Sequence, residues 1–536
     1  MTPGAPMTTS AKTAGTPRLL RFMLRRERAT LPWWLLGATL LVLVQSTQSQ
    51  SLYGTAEELA NLRNTIGGNT AVIAMSGPTE LLVSIGGEVV FEIFSFLAIV
   101  VALMNMFLIG RHTRADEESG RAELIRSTQV GRHAPTAAAL TLAALADIAV
   151  GLLVFAVAAG TGLPVGGSVL FGAAIAVAGF VFAALTTVAA QIFENTRAAY
   201  GSVGVALGVA FVLRAAGDSG NAVLSWLSPI GWGQRTFPYS GDRWWPLLLP
   251  LGASAVLIVV ATVLVERRDF GAGLIPSRLG PPDASRALGN AYGLAWRLQR
   301  GALIGWAAGL ALLGAAYGSI GNTIEQYVRD NPEFAEFLPG GAQSVLDSYL
   351  ALTVSVSALI AAAYGVTSVL RVRAEESSGR AEPVLATATS RLTWLAAQLS
   401  VALVGTALVL LALGVGEGIA YALTVSDAGQ VPRLIGIAMA YLPAVWLITA
   451  AAVLAVGWLP RPAAAVAWVV VGYCAVVALF ADSFNLPEWA RQASPFVHTP
   501  QIPAESLTAA PLLAVTVAAG VFLTAGYAGF RRRDIG

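Results

Sequence analysis

A short charged segment occurs twice in this chain, with its two copies 259 residues apart. The first copy, RADEESGRAELIRSTQVGR, covers residues 114–132, and the second, RAEESSGRAEPVLATATSR, covers residues 373–391. Acidic and basic side chains surround a Gly-Arg pair, so this segment could bind a partner through ionic contacts. A solvated connector can carry similar charges. Two near-identical copies in halves that have otherwise diverged favour binding, because a connector has little physical reason to resist change.

The two copies share a skeleton of seven positions. Its members are Glu117, Ser119, Gly120, Arg121, Ala122, Glu123 and Arg132, matched by Glu376, Ser378, Gly379, Arg380, Ala381, Glu382 and Arg391. The glycine predicts a turn, and the charged residues after it predict a short helix whose dipole favours the nearby carboxylates. Ser119 and Ser378 are candidate N-caps for these helices.

Further matches at nearly the same offset indicate a duplicated unit of about 265 residues. They are Tyr53-Gly54 with Tyr317-Gly318, Arg197 with Arg461, Ser228-Pro229 with Ser494-Pro495, Arg267-Arg268-Asp269 with Arg532-Arg533-Asp534, and Arg25, Arg28 and Trp34 with Arg297, Arg300 and Trp306. Scattered matches of this kind indicate two tandem halves and not one chance motif.

The composition predicts an integral membrane protein. Hydrophobic residues make up 56% of the chain and charged residues only 12%, against roughly 25% charged in soluble domains. The single Cys474 and three histidines argue against disulfide scaffolds and zinc enzymes. A net charge of +2 gives no reason to expect nucleic acid as a partner.

Twelve apolar segments are long enough to cross a bilayer, which takes about 20 residues. They lie near 31–49, 88–110, 136–159, 168–190, 198–216, 246–265, 302–319, 348–370, 393–414, 433–456, 462–481 and 508–530. The sequence therefore predicts an all-α integral membrane fold of two tandem six-helix repeats. Parallel duplication in a membrane chain is typical of transporters, whose pathway lies between the halves.

The distribution of cations predicts the orientation. Of the 33 Lys and Arg residues, seven lie on one side, and they are Arg63, Arg214, Arg235, Arg243, Arg329, Arg433 and Arg491. The other 26 share a side with both termini, which are therefore predicted to be cytoplasmic. Lys12 is the only lysine among the 33 Lys and Arg residues. Such a preference for arginine is typical of the coding bias of a GC-rich bacterium. We expect a multi-pass protein of the bacterial plasma membrane.

Four parts of the chain follow from these segments. They are a cytoplasmic tail with an amphipathic elbow helix (1–30), a first six-span half (31–266), a linker with a second elbow helix (267–301) and a second half (302–536). Each elbow has arginines suited to the lipid headgroups. The long outer loops, rich in Trp and Tyr, predict either an interfacial aromatic belt or hairpins that dip into the outer leaflet.

The chain resembles the permeases of ABC type-2 exporters, such as daunorubicin-type and polyketide-antibiotic exporters. The resemblance rests on the elbow helix, the long first outer loop, the second span and the cytoplasmic motif E-x-x-G-R-x-E-x-L-x-x-T. It covers nearly the whole chain. Within that family, the chain best resembles the fused actinobacterial kind, similar to tetronasin-type exporters, which has two six-span halves in one chain.

The resemblance implies that each repeated loop is a coupling helix docked on a separate ATPase subunit, two copies in all. The implied docking residues are Glu117, Gly120, Arg121 and Glu123, with Glu376, Gly379, Arg380 and Glu382. Pro383 replaces Leu124 in the second copy, so we expect weaker docking there. Because Lys12 has no phosphate-binding glycines around it, this chain is expected to bind no cofactor and to be no enzyme itself. ATP and Mg would bind to the partner subunits.

Polar residues within the spans are candidates for the substrate pathway. Asp147 lies near the middle of the third span, where a carboxylate costs about 2.5–3.5 kcal/mol and must face protein or water. It has either a structural, hydrogen-bonded role or a place in the pathway. The other candidates are Glu88, Glu92, Asn105 and Asp347. Glu88 and Asp347 also suit hydrated carboxylates at span ends.

Export of lipophilic drugs or antibiotics by an ATP-driven permease is the leading functional hypothesis. A proton-driven antiporter of the major facilitator type is the alternative, because it also has twelve spans in duplicated halves. Asp116 with Gly120-Arg121 matches that family's D-R-x-G-R-R motif imperfectly. A membrane scaffold without transport is a third possibility.

Overall fold

The computed structural model describes residues 12–66, 70–269, 271–276, 280, 282–330, 341–480 and 486–533. The chain divides into two compact units, Met1–Gly280 and Pro281–Gly536. Throughout the described residues the fold is helical, as predicted, with no β-strand and one isolated β-bridge between Phe193 and Ile275.

Twelve α-helices form the described part of the first unit. They are α1 Thr16–Glu27, α2 Leu31–Leu52, α3 Ala56–Ile66, α4 Thr70–Met75, α5 Ile85–His112, α6 Arg114–Glu118, α7 Arg121–Arg126, α8 Ala134–Gly160, α9 Val165–Ile192, α10 Thr196–Ser219, α11 Pro229–Gln234 and α12 Leu248–Arg267.

Nine α-helices form the described part of the second unit. They are α13 Ala291–Asp330, α14 Gly341–Ser377, α15 Ala381–Leu385, α16 Arg391–Val425, α17 Gln430–Ala440, α18 Leu442–Trp458, α19 Ala463–Phe480, α20 Glu488–Gln492 and α21 Ala509–Arg532.

In the described residues, each of the twelve predicted spans coincides with helical structure, and the one at 433–456 is divided between α17 and α18. Among the described residues, ten spans are long and apolar enough to cross a membrane, with α17 and α18 counted together. The segment predicted at 31–49 lies in α2, which meets α1 at a 65° bend. The segment predicted at 462–481 lies on a shorter apolar helix, 463–478. The helices are therefore where the sequence predicts them, whereas a count of twelve full crossings stays a prediction.

Small residues let these helices approach closely. A Cβ on Gly151 of α8 would lie 2.8 Å from the carbonyl oxygen of Gly172 in α9. In the second unit, a Cβ on Gly457 of α18 would lie 2.3 Å from the carbonyl oxygen of Gly526 in α21. Each pair therefore brings two backbones together where a larger side chain would separate them.

The last long loop of the first unit, at the opposite end from the repeated segment, has a buried part and an exposed aromatic part. Within α11, Gly233 lies against the Phe94 ring of α5, so this short helix packs among the long helices. Trp244 and Trp245 that follow it are exposed. Both interpretations of this loop, an aromatic belt and a hairpin that dips into the outer leaflet, stay predictions.

Candidate functional site

The repeated segment folds in both units into the predicted glycine turn and short helix. In the first unit, Gly120 (φ 73°) joins α6 to α7. In the second, Gly379 (φ 71°) joins α14 to α15. Both glycines have open space around them, so it is their left-handed backbone that favours glycine and not a lack of room.

The predicted serine caps are wrong. Gly120 precedes α7 and Arg380 precedes α15, and neither position has a side-chain cap. The Ser119 hydroxyl donates instead to the carbonyl of Asp116 (3.3 Å), and the Ser378 hydroxyl donates to that of Ala374 (2.8 Å). Both hydroxyls thus bond backward to the preceding helical turn, because the left-handed glycine separates them from the helix that follows.

Glu117 lies at an ionic junction in the first unit. The Arg268 guanidinium donates to both of its carboxylate oxygens, at 2.5 and 2.8 Å. Arg114, one turn earlier, donates to the same carboxylate at 2.7 Å. The Glu117 side chain is only 13% exposed. Its charge is therefore engaged within the unit.

Glu376 occupies the corresponding junction in the second unit. Arg533 donates to both of its carboxylate oxygens, at 2.6 and 2.8 Å, and Arg373 donates at 3.2 Å. The Glu376 side chain is 0% exposed. We call these two arrangements the carboxylate clamps, defined by Glu117 with Arg114 and Arg268, and by Glu376 with Arg373 and Arg533.

Arg114 adds contacts that hold the first clamp in place. Its guanidinium donates to the carbonyls of Gly271 (2.7 Å) and Ala272 (3.2 Å), just beyond α12. It also donates to the carbonyl of Glu194, between α9 and α10. One buried guanidinium thus joins the ends of several helices.

The side chains after each glycine turn face outward. Arg121, Glu123 and Leu124 are exposed in the first unit, and Leu124 is 75% exposed. Glu382 is exposed in the second unit, and the Arg380 side chain is largely exposed while it pairs with Glu375 at 2.9 Å. These five residues form what we call the exposed loop faces. Of the predicted docking residues, the structure therefore places Arg121, Glu123, Arg380 and Glu382 outward and the two clamp glutamates inward.

The elbow helix α1 packs against the first loop through ion pairs. Arg26 donates to both oxygens of Asp116, at 3.0 and 2.7 Å. Glu27 accepts from Arg111 and contacts the ring of His112, each at 2.9 Å. Burial alone would raise the pKa of Glu27, but the His112 hydrogen bond and the Arg111 charge outweigh it and lower that pKa below its ordinary 4.5.

An open groove separates the elbow helix from the exposed loop face of the first unit. It has a volume of about 600 Å³ and is lined by Phe22, Arg26, Asp116, Arg121, Leu124 and Ile125. Phe22 is 52% exposed. Apolar side chains with charged neighbours form a surface that a protein partner can bury.

Two of the predicted pathway residues contact one another. The Asn105 amide of α5 donates to the Asp147 carboxylate of α8 at 2.8 Å, and both side chains are buried. This bond fits the structural, hydrogen-bonded alternative for Asp147, whose place in the pathway stays a prediction. The second unit has a related pair at another position, where Thr353 of α14 donates to the buried Glu417 of α16 at 2.9 Å.

The remaining predicted pathway residues lie near the starts of α5 and α14, at the ends away from the repeated loops. Glu88 is 2% exposed and bonds to Ser49, so the expectation of a hydrated carboxylate is wrong for this residue. Burial against α2 is the physical reason. Glu92, one turn further along α5, is half-buried. Asp347 pairs with Arg433 at 3.0 Å. Within the first unit, the structure thus brings Asn105 and Asp147 together and leaves Glu88 and Glu92 apart from them.

Several residues of this site escaped prediction. Arg268 and Arg533 appeared in the sequence only as part of a repeated Arg-Arg-Asp triplet, with no role assigned to them. Repetition of that triplet together with the glutamates was a usable signal that they pair. Nothing in the sequence indicated the contact of Arg26 with Asp116, because 90 residues separate them.

Comparison with known proteins identifies a family whose model matches this chain and a relative of high similarity. The family described as multidrug efflux system permease Rv1217c, C-terminal domain, matches residues 18–265 and 288–531. The multidrug efflux system permease protein Rv1217c of Mycobacterium tuberculosis is 40% identical over 526 residues, which cover 97% of this chain and 95% of that protein.

Proposed function

Because this chain belongs to the multidrug efflux permease family, we propose that it is the membrane subunit of an ATP-driven ABC exporter. As a permease homologue with many long apolar helices, it is a multi-pass membrane protein and a transporter component, not a catalytic enzyme. The proposal adds the energy source, which neither family membership nor the helices identify.

One observation carries the proposal, namely that two matching loops present charged faces on two separate units. Each loop turns at a left-handed glycine and then exposes an arginine and a glutamate, Arg121 with Glu123 and Arg380 with Glu382. Two such faces fit two copies of one ATPase subunit. ATP and Mg bind to those subunits, and this chain supplies the docking surfaces.

The first docking surface has an apolar centre as well as charges. Leu124 and Phe22 lie on either side of the groove, and Arg121 lies beside them. Contacts that matter most in protein interfaces are usually aromatic or arginine side chains at the centre of the patch. We therefore assign the elbow helix α1 to the same docking surface as the first loop.

The proposed topology has twelve spans in two tandem six-helix repeats, with both termini and both loops in the cytoplasm of a bacterium. Its supports are the seven Lys and Arg residues on the opposite side and the two segments that the family model matches, 18–265 and 288–531. In this topology the loops and the elbow helix lie where an ATPase reaches them.

The proposed substrates are lipophilic drugs or antibiotics. Glu88, Glu92, Asn105, Asp147 and Asp347 remain candidates for the pathway. The buried bond between Asn105 and Asp147 makes these two the least suited to direct contact with a substrate, because their polar groups already face one another. Glu92 is the best suited, because it is half-buried while Glu88 is buried and Asp347 pairs with Arg433.

The decisive experiment is to purify the chain with its ATPase subunit and measure ATP hydrolysis with a panel of lipophilic compounds. We expect two ATPase copies per chain and stimulated hydrolysis. Reversing Glu123 and Glu382 to arginine together should release the ATPase, while Glu57→Arg in α3, at the opposite end, should not. Intact ATPase binding in the double reversal, with efflux abolished by a proton-gradient uncoupler, would contradict the proposal.

A further inference from the structure

The same ionic contact ties each repeated loop to the last helix of its own unit. In the first unit the bond runs from Glu117, in α6, to Arg268, directly after α12. In the second it runs from Glu376, in the last turn of α14, to Arg533, directly after α21. In each unit, the arginine one turn before the glutamate also pairs with it: Arg114 with Glu117, and Arg373 with Glu376.

These clamps are strong contacts by their geometry. Arg268 donates two nitrogens to the two oxygens of Glu117, the paired arrangement that gives arginine–carboxylate bonds their strength and fixed direction. Arg533 reaches both oxygens of Glu376. Both carboxylates are largely or fully buried, and removal of one partner from such a pair leaves an uncompensated buried charge.

Burial also separates the clamps from the exposed loop faces. Glu117 lies three residues before Gly120, and Arg121 and Glu123 lie beyond it. A partner that binds the outward side chains therefore pulls on a segment whose inner end is fixed to the last helix. Packed helices move as rigid bodies, so a displacement of the loop shifts the helix end to which it is bonded.

We propose that Glu117 and Glu376 are positioning residues that link each loop to the last helix of its unit, so that movement of a docked ATPase reaches that helix. This inference rests on the proposed function and assigns the two glutamates a part distinct from docking. Arg268 and Arg533 are the residues through which the movement of the loop reaches the last helix.

The test compares Glu117→Gln and Glu376→Gln with the matched controls Glu57→Gln in α3 and Glu488→Gln in α20, which change one exposed glutamate of each unit outside the repeated loops. Amide exchange of each full chain in lipid nanodiscs reports the clamp without any ATPase. The complex with its ATPase subunits, in vesicles, reports subunit retention, basal ATP hydrolysis and ethidium moved per ATP hydrolysed.

We expect the two clamp variants to exchange on the order of tenfold faster in the loop and at the end of α12 or α21. They should keep the ATPase bound and hydrolysing at its basal rate, while ethidium moved per ATP falls severalfold. The controls should not change that ratio. The reciprocal pair Glu376→Arg with Arg533→Glu should restore it, because the second clamp has the fewer additional contacts.

Three results would overturn the inference: an unchanged ethidium-to-ATP ratio in clamp variants whose loops exchange faster, release of the ATPase by Glu117→Gln, or a folded reciprocal pair that restores nothing. Failure of the proposed function looks different. In that case no ATPase is retained by the unmodified chain, whereas the exchange measurement still shows whether the clamp holds the loop.

Discussion

The two repeated loops have the same inner contact but differ in how the preceding helix holds them. In the first unit, α1 is a separate helix set at 65° to α2, and Arg26 and Glu27 bind the loop and the end of α5 by charge. In the second unit, α13 runs without a break from Ala291 through the predicted span. There Gln299 donates to Gln398 at 2.6 Å, and Arg371 of α14 donates to the carbonyl of Leu298 at 2.7 Å, so an amide pair and a bond to the backbone hold this helix.

This difference indicates which part of the repeat is constrained. The clamp glutamate, its arginine from the last helix and the left-handed glycine are present in both units. The carboxylate contacts of the first elbow are replaced in the second by an amide pair and a bond to a backbone carbonyl, and Pro383 stands where the first copy has Leu124. The clamp glutamates are retained inside each unit, and Arg121 with Glu123 is matched by Arg380 with Glu382 on the exposed loop faces. The exposed position next to the second glutamate differs, with Leu124 in one copy and Pro383 in the other. We infer that the two docking surfaces are not equivalent.

The largest effect is expected from a charge at the centre of the first docking surface. Leu124→Asp should weaken ATPase retention at least tenfold, because it puts a carboxylate into an apolar contact. Pro383→Asp should have a smaller effect, since Pro383 belongs to the weaker surface. Retention on immobilised chain measures both, with Leu124→Met as the control. Equal losses at the two positions would contradict the inequality of the loops.

The next effect concerns the buried carboxylates of the two interiors. Asp147→Ala and Glu417→Ala should each lower the free energy of unfolding by about 2 kcal/mol, from a lost hydrogen bond and a cavity. Asp147→Asn and Glu417→Gln keep the shape and should cost less than about 1 kcal/mol. Denaturant titration in micelles measures these values. An alanine variant as stable as its amide counterpart would show that its bond does not stabilise that unit.

Most of the fold was predictable from the sequence, because apolar length alone identifies the helices. The glycine turns were predictable for a different reason, because Gly120 and Gly379 occupy matching positions of the repeat. The clamp was predictable only in part. The repeated Arg-Arg-Asp triplet was a signal that these residues pair, but the contact of Glu117 with Arg268 depends on where α12 ends relative to α6. The orientation of Glu88 toward Ser49 also depends on packing, which the spacing of residues along one helix does not reveal.

A smaller and equal effect is expected at the two turns. Gly120→Ala and Gly379→Ala each place a Cβ on a left-handed backbone, which costs about 1 kcal/mol. The open space around both glycines means that no clash adds to this strain. Amide exchange in α7 and α15 should accelerate by a similar factor. Clearly unequal factors would show that the two turns are held differently, despite their matching φ angles.

The smallest effect distinguishes the ionic elbow contact from the neutral one through its dependence on pH. Because the pKa of Glu27 is lowered below 4.5 in the folded chain, its ionised form stabilises the fold. That contribution is complete above pH 4.5 and is lost as the pH falls through the lowered value. Glu27→Gln should therefore accelerate exchange in α1 a fewfold at neutral pH, and this difference from the unmodified chain should vanish in acid. Gln299→Leu removes the neutral contact of the second unit, and its effect on exchange in α13 should be the same at every pH. If the two variants showed the same pH dependence, the contrast between ionic and neutral attachment would be wrong.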